Sequence, residues 1–179
     1  MNRSHCALFA MGLMLCPQIN ASADDLAYNL EFTGTIVAQT CDIDISSLSQ
    51  SIDLGQFAVG DFPSTGTTTK FKPFNINLKN CSRGIAGAWF TGEPDPDNPA
   101  LLAITDTGMG SGNMLASGVG VEILNDDQDT ISINNADSVV YPLKAGRNTL
   151  SFYIRYKSTR PTVTSGNATA VMYFDMQYE

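Results

Sequence analysis

"AYNLEFTGTIVAQTC", residues 27–41, alternates apolar and polar positions in the manner of a β-strand. Tyr28, Leu30, Phe32, Gly34 and Ile36 fall on one face, and Asn29, Glu31, Thr33 and Thr35 on the other. An apolar face of this kind has to enter a sheet, yet the stretch stands at the head of the expected mature chain. The far end raises the same question. "AVMYFDMQYE", residues 170–179, places Met172, Phe174, Met176 and Tyr178 on one face of a second terminal strand.

What precedes the first stretch reads as a leader. Arg3 supplies a positive start, "ALFAMGLMLC" is an apolar run, and Ala21, Ser22 and Ala23 offer a small-x-small cleavage site, so residues 1–23 are expected to be a secretory signal peptide. The run falls well short of the roughly 20 residues a membrane-spanning helix needs, and no later segment approaches that length. No membrane insertion is therefore expected. The mature chain begins near Asp24, with 156 residues (179 less 23), one domain with room for a core.

Removing the leader also removes chemistry. His5, the one histidine, lies within it, as do Cys6 and Cys16, leaving Cys41 and Cys81 as the mature cysteines. Ser-His and Cys-His catalysis and His-ligated zinc are excluded on that reading. In an exported chain the two cysteines are expected to pair, with two buried free thiols as the alternative. A loop of about 40 residues closed in this way stabilises the fold by roughly 4 kcal/mol on the chain-entropy account. Without Arg3, nine basic residues face 18 acidic ones, a net charge of −9 that repels nucleic acid and anionic lipid.

The body reads as all-β. Short alternating or apolar runs ("SIDLGQF", "KFKPFNINLKNC", "GAWF", "LLAI", "GVGVEIL", "TISI", "NTLSFYIRYK", "ATAVMYFDMQY") are separated by Gly, Pro, Asn, Asp and Ser, the punctuation of a sandwich. No amphipathic helix competes for a long window. "GVGVEILNDDQDTISIN" predicts one hairpin turning at Asn125–Asp129. "NDDQD" lacks the glycine and distal glutamate of a calcium loop, and "GMGSG" lacks the strand-then-helix setting of a phosphate loop. The first reads as a solvated turn and the second as a flexible loop. Trp89 and Phe90 could stack on a sugar, although "AGAWF" reads more simply as a core strand.

Taken in order, these features form a pattern: a leader, an alternating arm with Gly34 seven positions before Cys41, and a second cysteine 40 residues later. "LGQF", the "GVGVEIL" hairpin, Gly166 fourteenth from the end and a penultimate Tyr178 complete it. The chain resembles the pilin subunits of chaperone–usher fimbriae, most closely the type 1 group, over essentially all of the mature sequence. The resemblance implies an immunoglobulin-like sandwich lacking its last strand, with an apolar groove beside a C-terminal strand carrying Gly166, Met172, Phe174, Met176 and Tyr178. Residues 24–38 would form the donor-strand extension and residues 39–179 the pilin domain.

The implied function is that of a structural fimbrial subunit that polymerises by donor-strand exchange and contributes to cell adhesion. A periplasmic chaperone would lend a strand to the groove, and at the outer-membrane usher the arm of the next subunit, with Tyr28, Leu30, Phe32, Gly34 and Ile36 inward, would replace it. Homo- and hetero-polymers both fit. Gly34 would allow close backbone approach where the arm crosses a shallow part of the groove. No catalytic residue, metal or cofactor is expected, and the subunit is expected to pass through the periplasm to the cell surface. A single-domain tip adaptor or receptor-binding, adhesin-like subunit is the alternative; the single domain and clear arm favour an internal subunit or adaptor over a terminal adhesin.

Overall fold

A computed structural model describes residues 33–34, 40–106 and 114–179. The chain divides into two units, Met1–Ile36 and Val37–Glu179. The architecture below is that of the second. The leader, the arm residues Tyr28, Leu30, Phe32 and Ile36, and the expected 38/39 boundary lie outside the described residues.

Two antiparallel sheets face each other across one core. Strands β1 (Asp42–Ile43), β2 (Lys72–Cys81), β3 (Gly84–Gly92), β4 (Val119–Leu124), β5 (Thr130–Ile131), β6 (Val139–Leu143), β7 (Gly146–Ser158) and β8 (Met172–Tyr178) carry the fold. The larger sheet runs β1-β2-β7-β4-β5 and the smaller one β6-β3-β8. Layering and topology are those of an immunoglobulin-like sandwich. Period-2 patterning decides what faces inward: Phe74, Ile76 and Leu78 of β2, Leu150 and Phe152 of β7, and Ala86, Ala88 and Phe90 of β3 are all buried in one cluster. Phe152 sits at its centre, 5.2 Å from the Phe74 ring and 5.0 Å from Phe90.

The expected hairpin forms, with Ile123 opposite Ile131 and Leu124 opposite Thr130, and Asn125 N–H donates to Asp129 O across the turn at 3.0 Å. On the outer face of β4, Glu122 is buried, accepting from Arg155 Nε at 2.6 Å, Lys157 Nζ at 2.7 Å and Thr130 Oγ1 at 2.9 Å. Burial works to raise its carboxyl, but these three donors outweigh that effect and hold it below the ordinary carboxylate value.

Three stretches differ from the sequence reading. "SIDLGQF" forms no strand: the Asp53 side chain accepts from Gly55 N–H at 2.8 Å, and Gly55 takes a φ of +96°, which interrupts the extended run. "LLAI" makes only isolated bridges, Leu102 with Pro94 and Val121, and caps β4 where Gly120 leaves room for Leu101. Conversely, "VVYPL" is a strand that its proline conceals. Ile85, opposite Pro142, exchanges both its backbone bonds with Glu179 at 2.7 and 2.8 Å, so Pro142 turns its missing N–H away from β3 to an open edge, where no ladder bond is lost. One helical turn, α1 (Ile45–Leu48), starts at Asp44, whose side chain accepts from Ser46 N–H at 3.1 Å.

Candidate functional site

The site is built on β8. Its residues alternate between half-buried and exposed, with Met172, Phe174, Met176 and Tyr178 inward and Tyr173, Asp175 and Gln177 outward. The inward four pack against the core cluster without being covered by it. Pairing with β3 fixes them: Phe174 stands opposite Phe90, Met176 opposite Ala88 and Tyr178 opposite Ala86. Only that edge is paired. Among the described residues no strand pairs with the other edge of β8.

Beside that edge runs an open groove made of three adjoining cavities. The first, about 530 Å³, lies between Tyr178 and Met176 and the residues Cys41 and Ile43. The second, about 540 Å³, shares Ile43, Leu48 and Phe174 with it and is floored by Phe74, Ile76, Val121 and Ile154. The third, about 560 Å³, shares Ile52, Leu54, Tyr156, Ala168 and Thr169 with the second and ends at Gly166. One wall is therefore β8 with the residues leading into it, and the opposite wall is the segment from Ile43 to Phe57. Leu48, Phe57 and Val59 expose apolar surface on that rim.

Each end of the groove is pinned. At one end Cys41 and Cys81 form a disulfide with a Cα–Cα distance of 4.2 Å, and Ser82 N–H donates to Thr40 O at 3.2 Å. The hydroxyls of Tyr141 and Tyr178, which flank Ala86, are buried without a hydrogen-bond partner among the described residues. Burial, and then the nearby Asp42 carboxylate, push the Tyr178 hydroxyl up from its ordinary pKa. At the other end Asn167 N–H donates to Met114 O at 2.8 Å, and Ala116 N–H donates to Asn167 O at 2.9 Å. A Cβ on Gly166 would collide there with the backbone of Met114, Leu115 and Ala116. Tyr156 divides the second and third cavities, donating its hydroxyl proton to Ala168 O at 2.5 Å.

The structure thus brings Met172, Phe174, Met176 and Tyr178 to one face and sets Gly166 at the groove's far end, outside β8. Of the inward-facing arm residues, Gly34 alone is described, and nothing stands within 4 Å of where its Cβ would be. Sequence reading missed the opposite wall, Ile43, Leu48, Ile52 and Leu54, and the dividing Tyr156. The alternation of Ile52 and Leu54 was visible, but nothing in it distinguished a groove wall from a strand. Phe90 belongs to the core, whereas Trp89 lies on the outer face of β3 against Gly87. Among the described residues no three His, Cys, Asp or Glu side chains gather as a metal site, and no helix is long and apolar enough to cross a membrane.

A family model described as "Fimbrial protein" matches residues 30–179. The uncharacterized fimbrial-like protein YcbU of Escherichia coli K12 is 44% identical over 154 residues, covering 84% of this chain and 84% of its own. The fimbrial subunit type 1 of Salmonella typhimurium is 34% identical over 154 residues, covering 84% of this chain and 82% of its own. A solved chaperone–usher pilus superposes with a TM-score of 0.64 at 25% identity, covering 85% of this chain and 95% of its own.

Proposed function

The chain belongs to the fimbrial protein family, and on that premise we propose that it polymerises by inserting its arm, residues 24–38, into the groove beside β8 of the next subunit. It is a structural subunit of a surface fimbrium, assembling with other subunits and carrying no enzymatic activity. The finer steps are the proposal. A periplasmic chaperone first fills the groove with a strand of its own; at the outer-membrane usher the incoming arm of another subunit replaces it.

The observation that carries this reading is the state of β8. Four inward apolar side chains stop half-buried along an edge that has backbone donors and acceptors to offer. An added strand would pair with that edge while its alternate side chains filled the three cavities, the general mode of β-strand addition. Tyr28, Leu30, Phe32 and Ile36 would each contribute about 1.5–3 kcal/mol on full burial, enough together for a junction that opens very slowly.

The test separates arm from groove. Deleting residues 24–36 leaves the groove intact, so the subunit still co-purifies with its chaperone and accepts a neighbour's arm, yet cannot extend the fibre and shortens fimbriae when co-expressed. Phe174→Asp or Tyr178→Asp damages the groove strand and abolishes chaperone co-purification, because an unpaired buried charge costs several kcal/mol. The reverse pattern, loss of chaperone binding on arm deletion and normal assembly by the Asp variants, would overturn the assignment.

A further inference from the structure

A subunit joined to its neighbours in this way carries tension between two points: Thr40, the first described residue of the sandwich on the arm's side, and the strand lodged beside β8. Two covalent routes connect Thr40 to the rest of the domain. One follows the chain through β1, which pairs with β2 only at Asp42–Lys79 and Ile43–Leu78. It then continues along the groove wall, held to the β2 edge by Asp44 N–H donating to Asn77 O at 2.8 Å, Asn77 N–H donating to Ser47 Oγ at 2.9 Å, and Gln50 Nε2 donating to Asn75 O at 2.9 Å. The other crosses the disulfide from Cys41 directly to Cys81, the last residue of β2.

We propose that the Cys41–Cys81 disulfide is a force-carrying bypass that keeps tension on the arm from reaching the groove wall. Cys81 is set in the most extensively paired part of the fold. Behind it β2 is laddered to β7 from Lys72 to Leu78, and ahead of it only Ser82 and Arg83 intervene before β3, which pairs with β8 from Ala86 to Gly92. Force entering at Cys41 therefore passes through Cys81 and β3 to β8, the strand that grips the neighbour's arm. Ile43, Leu48, Ile52 and Leu54, which form the opposite wall, all lie inside the loop that the disulfide closes and so remain slack. Without the bond the same force runs in series through that wall. Peeling is then resisted by a two-residue strand, three hydrogen bonds to the β2 edge and the packing of Ile43 and Ile52 on the core, and each residue drawn away opens the groove around its occupant.

This inference rests on the strand-insertion reading, and the experiment distinguishes the two. Mature chains linked through an arm–groove junction are held at constant force with handles on the free arm and on the partner subunit, before and after reduction. The oxidised junction should hold without a preceding extension. After reduction, residues 42–57 should pull out first, adding on the order of 50 Å. The junction lifetime at the same load should fall about tenfold or more, since forced opening is governed by the unfolding rate. A Cys41→Ser, Cys81→Ser chain should behave as the reduced one. Because that variant can fail to fold, a second geometry keeps the disulfide intact and moves the handle to the exposed Ser49, which places the wall back in the load path and should reproduce the weak behaviour. Equal lifetimes and no extension in the reduced and Ser49 arrangements would overturn the bypass. If a peptide of residues 24–38 fails to raise the melting temperature at zero force, the insertion reading itself falls, and the bypass with it.

Discussion

Strands β2 and β8 are written in the same alternating code and end in different states. Phe74, Ile76 and Leu78 on β2 are 6%, 0% and 2% exposed, whereas the inward residues of β8 stop half-buried. Nothing in the apolar residues themselves explains this. β2 is laddered along its length to β7, with Phe152 stacked on Phe74 at the floor of the groove, while β8 is an edge strand that forms the groove's wall. Alternation states which way a side chain points; burial depends on what stands beside it.

The comparison can be broken most severely at its filled side. Phe152→Ala removes a fully buried ring touching Phe74, Phe90 and Tyr141, and should cost about 4 kcal/mol in denaturant unfolding. The open side can be closed instead. A peptide of residues 24–38 at roughly a hundredfold excess over its dissociation constant should stabilise the domain by about 3 kcal/mol, visible as a rise in Tm. An unchanged Tm would mean that β8 needs no further partner.

Glu122→Gln tests the outer face of the larger sheet, where one carboxylate answers two cations. Arg155 and Lys157 keep partial access to water, so the loss should be moderate, about 2 kcal/mol at neutral pH. The Glu122 carboxyl is held below its ordinary value of 4.5 in the folded protein, so its contribution is complete above that pH and fades as pH falls through the folded value. The difference between wild type and variant should therefore narrow in acid, in paired urea titrations. The smallest effect belongs to Phe174→Ala in the isolated domain, about 1 kcal/mol, because its ring is only half covered; with the arm peptide bound, the same substitution should cost two to three times as much.

Much of the fold was legible because strands such as β7, "GRNTLSFYIRYKS", combine period-2 patterning with β-branched and aromatic residues. β8 was legible in the same way, down to the four residues that line the groove. The failures have different causes. Residues 51–57 have strand-like alternation but make no ladder, because Asp53 and the positive φ of Gly55 break the run locally. Val139–Leu143 makes a ladder despite Pro142, an outcome that turned on partners distant in sequence. Trp89 and Phe90 were adjacent candidates for a single face, but a strand sends consecutive side chains to opposite sides. The wall from Ile43 to Leu54 was illegible as a wall because a groove is a relation between two segments.

Pro142 has a consequence for the geometry of assembly. The smaller sheet has two edges, β6 and β8, and the proline removes a backbone donor from the outer row of the first. On the larger sheet both edge strands, β1 and β5, are two residues long. Beyond β1 the outer row of β2 is engaged by Asp44, Ser47 and Gln50, which leaves β8, among the described residues, as the long strand with an unpaired edge, so under strand addition each domain has an acceptor valence of one. A polymer of such units grows as a single unbranched line, and its register is set at one junction per subunit.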